Sequence, residues 1–284
     1  MGERVFDATV PIRLDVGDMV GVGAHVEWIA REALGGEYDS PYFGRDLKIL
    51  DLGANVGGFA LWSQLRWPDS TVTCYEPQAE AFALLERNTA GYPRISCVNA
   101  AVFPTEQSSA RFVRRAGRDV EAMLEPIAHE FLLEIPSEQL TEVPTVHPRT
   151  LPQADIIKLD VEGAELAILS SLELAHVSLI MLEYHDLELR RGVERFTADT
   201  FEVERLTRHK WGAHAAELRY RRSPDDEYGI LVLVNRNLDR IHRSDAPRIS
   251  TAAPTSLRQA CAPLPRLAVA AARRRAAAVR KRLS

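Results

Sequence analysis

KILDLGANVGGFA, Lys48 to Ala60, decides the fold. It begins as a short apolar run carrying one acid, Asp51, and ends that run at Leu52. Three glycines follow, Gly53, Gly57 and Gly58, and beyond them VGGFALWSQLRWP takes helical spacing until Pro68 stops it. A strand, a glycine turn and a helix N-terminus in that order leave unpaired backbone N–H groups around one point. That point suits a polar or anionic ligand.

Outward from this unit the chain keeps one rhythm. TVTCYEP (71–77) reads as a second strand, and QAEAFALLERNTAG (78–91) as a second helix with Gly91 as its stop. RISCVNAAVF (94–103) reads as a third strand and ADIIKLDVEG (154–163) as a fourth. The next helix is AELAILSSLELA (164–175), and VSLIMLEYH (177–185) is a fifth strand. Strands that are apolar on both faces, alternating with helices, predict an α/β fold with a mostly parallel sheet and helices on both faces. GAHAAELRYRRS (212–223) and EYGILVLVNR (227–236) predict a closing antiparallel pair at the sheet edge. The segment 104–150 breaks the rhythm, with a hairpin over ARFVRRAGR (110–118) and a helical piece over VEAMLEPIAHEFLLE (120–134). We therefore divide the chain into an N-terminal helix and loop extension (1–47), a core domain (48–238) carrying the 104–150 insert, and a basic linker and tail (239–284).

Composition narrows the classes. With 284 residues, 46% of them hydrophobic, there is material for a large core. No apolar run reaches about 18 residues, so no membrane span is expected. The first residues are acidic and lack the apolar stretch of a secretory signal. Cys74, Cys97 and Cys261 are odd in number and lack metal-ligand spacing, which fits a reducing cytoplasm. The net charge of −5 conceals an asymmetry: residues 239–284 hold 11 Lys+Arg and 2 Asp+Glu, leaving 24 basic and 38 acidic residues before them. An acidic body is a poor nucleic-acid surface, so no nucleic-acid partner is expected. The tail, PLPRLAVAAARRRAAAVRKRLS (263–284), has high helix propensity and an apolar face made mostly of alanine, too slight for strong membrane binding.

The glycine turn itself chooses between two ligand classes. A dinucleotide wants G-x-G-x-x-G, with a second glycine against the pyrophosphate. Asn55 stands at that second glycine here, and the Asp51 carboxylate would repel phosphate. A cation would welcome that acid. S-adenosylmethionine carries a sulfonium and an ammonium and no phosphate, so D-x-G-x-x-x-G suits it better. Glu76 ends the second strand, where an acid accepts hydrogen bonds from ribose hydroxyls.

Four segments, ILDLGANVGGFA, CYEPQAEAFALLERN, VNAAV and above all DIIKLDVEGAELAIL, resemble the FkbM family of S-adenosylmethionine-dependent methyltransferases. The likeness covers about residues 38–236, and the K-x-D-V-E-G-A-E segment is its specific part. It implies a class I methyltransferase (Rossmann-like) fold with a seven-stranded sheet, and methyl transfer to a hydroxyl, often on a sugar, polyketide or other secondary metabolite.

Specific residues follow. Asp51, Gly53, Ala54, Asn55, Gly57 and Glu76 are the expected cofactor residues, with Asn99 and Ala100 placed where such folds hold the adenine. Asn99 has the plainer reading of a turn residue bonded to local backbone. Asp160 and Glu162 should end the fourth strand on one side, at the carboxyl edge where open α/β sheets bind ligands. Glu165 is assigned to the N-terminus of the following helix. Glu183 and His185 end the fifth strand, and His185 is a candidate general base. The catalytic set is thus Asp160, Glu162 and His185, with no metal expected and a small molecule as acceptor. The alternatives are amino-group or macromolecule methylation, and a catalytically silent binding protein. No oligomeric state is legible.

Overall fold

The computed structural model describes residues 38, 40–115, 118–131, 140–210, 226–237 and 241–243. The expected helix before residue 38, the strand over 212–223 and the tail beyond residue 243 lie outside them. Ahead of the glycine turn come β1 (Tyr42–Phe43) and β2 (Lys48–Leu52). After it come α1 (Gly58–Arg66), β3 (Thr71–Tyr75), α2 (Ala79–Thr89), β4 (Ile95–Val98) and β5 (Ala101–Val102). The insert contains β6 (Ser109–Arg115), β7 (Arg118–Leu124), α3 (Glu125–Phe131) and β8 (Leu140–Val146). The second half contains β9 (Ile156–Leu159), α4 (Glu165–Leu169), β10 (Leu179–Tyr184), α5 (Leu187–Thr197), β11 (Phe201–Leu206), β12 (His209–Lys210), β13 (Glu227–Asn235) and β14 (His242–Arg243).

The main sheet runs in the order β11-β13-β10-β9-β2-β3-β4, with β12 pairing to β13 off that path. From β10 to β4 every pairing is parallel, and β13 lies antiparallel to both β10 and β11. This is the seven-stranded α/β architecture of class I methyltransferases. Strands buried on both faces are apolar at nearly every position, and all four residues of β9 and all six of β10 are buried, Lys158 and Glu183 among them. Alternation divides them between two cores. Ile49, Val72, Ile156 and Met181 pack beneath Phe59 and Trp62 of α1 and Leu85 of α2. Leu50, Leu52, Ile157 and Leu182 pack on the other face beneath Ile168 of α4 and Val193 of α5. Each fully buried side chain of this kind contributes about 1.5–3 kcal/mol.

Arg66 and Trp67, at the C-terminal end of α1, hold the segment that leads into β2. The Arg66 guanidinium donates to the Ser40 and Tyr42 carbonyls at 2.7 and 3.0 Å and stacks 3.4 Å over the Phe43 ring. The Trp67 indole donates to the same Tyr42 carbonyl. Cys74 and Cys97, distant in sequence, are register partners on β3 and β4, both as free thiols.

Four expectations are corrected. The third strand is not continuous: it breaks at Asn99–Ala100, and β5 leaves the main sheet to pair in parallel with β8. The insert does open with the expected hairpin, β6 against β7, but residues 120–124 belong to β7 and only 125–131 are helical. β6 also pairs with β8, so the insert forms a separate sheet, β5-β8-β6-β7. A helical apolar pattern and a short strand are hard to separate when the run also carries charges. The helix over 164–175 is a single short α4, followed by a 3-10 turn over Leu174–His176. Finally, β13 is antiparallel near the sheet edge as expected, but its partner on the outer side is β11, a segment that no sequence pattern had marked.

Candidate active site

The carboxyl ends of β2, β3 and β9 meet the start of the second sheet in one cleft. It encloses about 690 Å³ of empty space, part of it open to solvent. The glycine turn forms one wall. Gly53 and Ala54 both donate their backbone N–H to the Tyr75 carbonyl at 3.0 Å, which ties the turn to the end of β3. Gly53 has φ 77°, and a Cβ on it would lie 1.7 Å from the Asp160 carbonyl oxygen, so conformation and space both demand glycine. Asn55 is left-handed too, at φ 48°. The N-cap of α1, Gly57, offers no side-chain cap, and the first turn holds no acid.

Glu76 stands directly beside the turn. One carboxylate oxygen accepts from Asn55 N and the other from Gln78 N, both at 2.8 Å. Each oxygen keeps a lone pair for a further donor. Burial pushes the Glu76 carboxyl up to about 7, against the two backbone hydrogen bonds that favour its ionised form. Beside it, the Asn55 side-chain oxygen and the Gln78 side-chain nitrogen are buried without a hydrogen-bond partner. Both residues line the cleft. Orphaned polar atoms next to a carboxylate with spare lone pairs fit the hydroxyls and polar edge of a nucleoside, and S-adenosylmethionine has one.

The opposite wall is apolar: Tyr75, Ala100, Ala101 and Val102, with Phe112 and Leu124 from the insert. Ala100 is thus one of the residues that line the cleft. Asn99 does not line the cleft; its side-chain amide donates to the Glu76 and Pro77 carbonyls at 2.8 and 3.0 Å, bonds to a distant segment rather than to its own local backbone. Ala54 and Gly57 shape the turn without lining the cleft. Asp51 is also absent from the wall. It is fully buried and faces the Lys158 ammonium at 3.5 Å.

Asp160 and Glu162 do line the cleft, but not as alternating strand residues. β9 ends at Leu159, and Glu162 sits in a turn with φ 56°. The turn brings Glu162 Oε2 within 3.2 Å of His185 Nε2. On the other side of the ring, Nδ1 lies 3.7 Å from Glu165 Oε1. That same Glu165 oxygen accepts from Val161 N and Gly163 N, so it fixes the turn as well as facing the histidine. Burial pushes the Glu165 carboxyl up to about 7. Asp160, Glu183 and His185 offer ligand atoms within 4.8 Å of one another, a group with cation-binding chemistry. Nε2 of His185, however, faces the Glu162 carboxylate at 3.2 Å, whereas Nδ1 lies 3.7 Å from Glu165, beyond hydrogen-bond reach.

Two residues that hold this site together were not marked in the sequence. Glu165 was assigned to its helix alone. Lys158 was quoted within a motif and given no role, although a lysine inside the wholly apolar run IIKL must be buried and therefore paired.

Residues 51–212 match the methyltransferase FkbM domain. The chain belongs to the FkbM methyltransferase domain family. Two curated relatives of the FkbM chain are Methyltransferase 1 of Beauveria bassiana (strain ARSEF 2860) and Methyltransferase sdnD of Sordaria araneosa. The first is 28% identical over 167 residues, 50% of this chain and 65% of the relative. The second is 26% identical over 164 residues, 46% of this chain and 62% of the relative. The match thus spans less than two thirds of either relative's length. Similar solved structures include a ribosomal protein L11 methylase from Lactobacillus delbrueckii subsp. bulgaricus, at 15% identity and TM-score 0.41, covering 83% of this chain and 89% of that one. Another is precorrin-6y C5,15-methyltransferase from Geobacter metallireducens GS-15, at 14% identity and TM-score 0.40, covering 78% and 93%. No described helix of the FkbM chain is long and apolar enough to cross a membrane.

One prediction concerns pH. Burial raises the Asp51, Glu76 and Glu165 carboxyls, the latter two from 4.5 to about 7. An acid whose folded pKa lies above its unfolded one contributes stability that is fully present below the unfolded value. It is lost as pH rises through the folded one. The ligand-free protein is therefore expected to lose stability between pH 5 and 8, by about 1–3 kcal/mol for each of Glu76 and Glu165. Thermal melts across that range are the check, and a melting temperature that rises towards pH 8 would contradict the burial of these acids.

Proposed function

We propose that the protein is an S-adenosylmethionine-dependent O-methyltransferase acting on a hydroxyl of a small molecule, a secondary metabolite or sugar moiety. The observation that carries this reading is the Glu162–His185–Glu165 arrangement beside the cleft that Glu76 and the glycine turn line. Glu76, Asn55 and Gln78 would bind the ribose and its surroundings, and the apolar wall with Ala100 would take the adenine. S-adenosylmethionine supplies a methyl group already activated on a sulfonium. The protein's own task is then to position the acceptor and receive its proton. Glu165, pinned by two backbone N–H groups, faces His185 at Nδ1. At 3.2 Å, Glu162 and His185 are close enough to pass a proton between them, and this pair would accept the proton of the hydroxyl. Asp160, on the cleft wall between the two halves, serves both.

We further assign the catalytic unit to residues 48–238, with the 104–150 insert as an acceptor-binding region, and treat 1–47 and 239–284 as extensions. Phe112 and Leu124 in the cleft wall support a role for the insert in ligand binding. A cytoplasmic setting fits the free thiols of Cys74 and Cys97.

The first test is thermal shift. S-adenosylhomocysteine at about 100 times its Kd should stabilise the protein by about 2.7 kcal/mol, and NAD should not. Equal shifts, or a shift with NAD alone, would remove the cofactor assignment. Mass spectrometry of metabolites from cells with and without the chain then names the acceptor by an added methyl group. Appearance of that group on an amine or on a macromolecule would replace the hydroxyl reading.

A further inference from the structure

Lys158 is the buried charge that the mechanism above leaves unused. Its side chain is fully buried in β9, where an ammonium costs several kcal/mol unless it is paired. It donates to the Gly53 carbonyl at 2.7 Å and stands 3.5 Å from both Asp51 Oδ1 and Asp160 Oδ2. Those partners belong to three places: β2, the glycine turn, and the turn after β9. Asp51 does not reach the cleft, whereas Gly53 and Asp160 line it. Lys158 is thus the link between a sealed carboxylate and the wall that meets the ligand. Two carboxylates and one ammonium leave one net negative charge there.

We propose that Lys158 is a positioning residue that ties the glycine turn to Asp160 and holds this wall at one net negative charge, so that the site prefers the cationic methyl donor to its neutral thioether product. This rests on the cofactor reading above and extends it to product release. Donor and product differ by a methyl group and by the sulfonium charge. A wall of fixed charge −1 attracts the first more than the second, and the low dielectric around buried groups strengthens the difference. Without the ammonium, two neighbouring carboxylates cannot both stay ionised easily and take up a proton. The preference would then depend on pH. The other groups near the trio are Cys74, with Sγ 3.9 Å from Asp51 Oδ2, and the Tyr38 ring, 5.8 Å from the ammonium. Asp160 also acts on Glu165, and Lys158 and Asp51 act on Glu76, through space.

The test compares wild type with Lys158→Met. Kd values for S-adenosylmethionine and S-adenosylhomocysteine are measured by calorimetry at pH 6, 7 and 8. The donor-over-product preference of the variant, divided by that of wild type, cancels the titration of the ligands and the ribose hydrogen bonds of Glu76, which both ligands share. This quotient is expected to rise with pH, by up to about tenfold per unit. A quotient that stays constant, however weakly the variant binds both ligands, would overturn the proposal and leave Lys158 as packing. If Lys158→Met does not fold, Lys158→Met with Asp51→Asn decides, because it restores one net negative charge. A ligand-free melt close to wild type supports the charge pairing, and failure of the double variant to fold overturns it. These melts need no cofactor. Wild type that binds neither ligand would instead overturn the cofactor reading, and the selectivity with it.

Discussion

Glu76→Ala is expected to weaken S-adenosylhomocysteine binding by about 10²- to 10⁴-fold. Two hydrogen bonds from ribose hydroxyls to a carboxylate would be lost, at about 1.5–3 kcal/mol each. The variant also frees Asn55 N and Gln78 N, which the carboxylate holds at 2.8 Å, so the glycine turn loses an anchor. The effect on ligand-free stability has a different sign from the effect on binding. With its carboxyl raised to about 7, Glu76 is a burden above neutral pH, and its removal relieves that burden. Binding hydroxyl donors favours the ionised form, so wild-type affinity is expected to rise between pH 5.5 and 7.5, and that of Glu76→Gln to stay nearly flat. Calorimetric titration reads both. Unchanged affinity in Glu76→Ala would end its assignment to the ribose.

His185→Ala should lower the methyl-transfer rate by about 10²- to 10⁴-fold, the usual cost of a lost general base. Cofactor affinity should change little, since His185 stands behind the cleft-lining Glu162 rather than on the cleft wall itself. Asp160→Asn should lower both rate and affinity, because Asp160 is on the wall and faces Lys158. The discriminating measurement is turnover from pH 6 to 9 with cofactor affinity taken separately. A histidine that merely fills space would instead lower the melting temperature and leave the pH profile of the remaining activity in place. Near-native turnover in His185→Ala would move proton acceptance to Glu162 or Glu183, or leave positioning as the whole of catalysis.

The parts of the fold that were legible are those in which one local pattern has one structural outcome. Apolar runs such as IIKL and LIMLEY had to be strands buried on both faces, and the turn at Gly53 had to be tight. Segments that depend on distant partners were not legible. FEVERL in β11 is half charged and becomes a strand only because β13 supplies the hydrogen bonds. VEAML reads as helix until β6 pairs with it. The same division holds in the site. Glu76 follows from its place after β3, and Asp160 from its place after β9. Glu162 depends on a left-handed turn that strand alternation does not anticipate. Glu165 could be linked to His185 only once two separate strand ends had been brought together. Lys158 was the avoidable miss, since a cation within four buried residues had to have partners.

The inner position of β13 has a consequence for synthesis. β11 leaves the ribosome about 20 residues before the strand that must separate it from β10. At about 5–20 residues per second, β11 waits roughly one to six seconds with its backbone groups unpaired. Parallel strands β2, β3, β9 and β10 are already available by then, and a wrong pairing of β11 directly onto β10 would close the sheet without β13. The charges of Glu202, Glu204 and Arg205 discourage such premature contacts, as charged residues do on exposed strand edges. The same residues that disguise β11 in the sequence thus keep its place open until the last long strand of the sheet arrives.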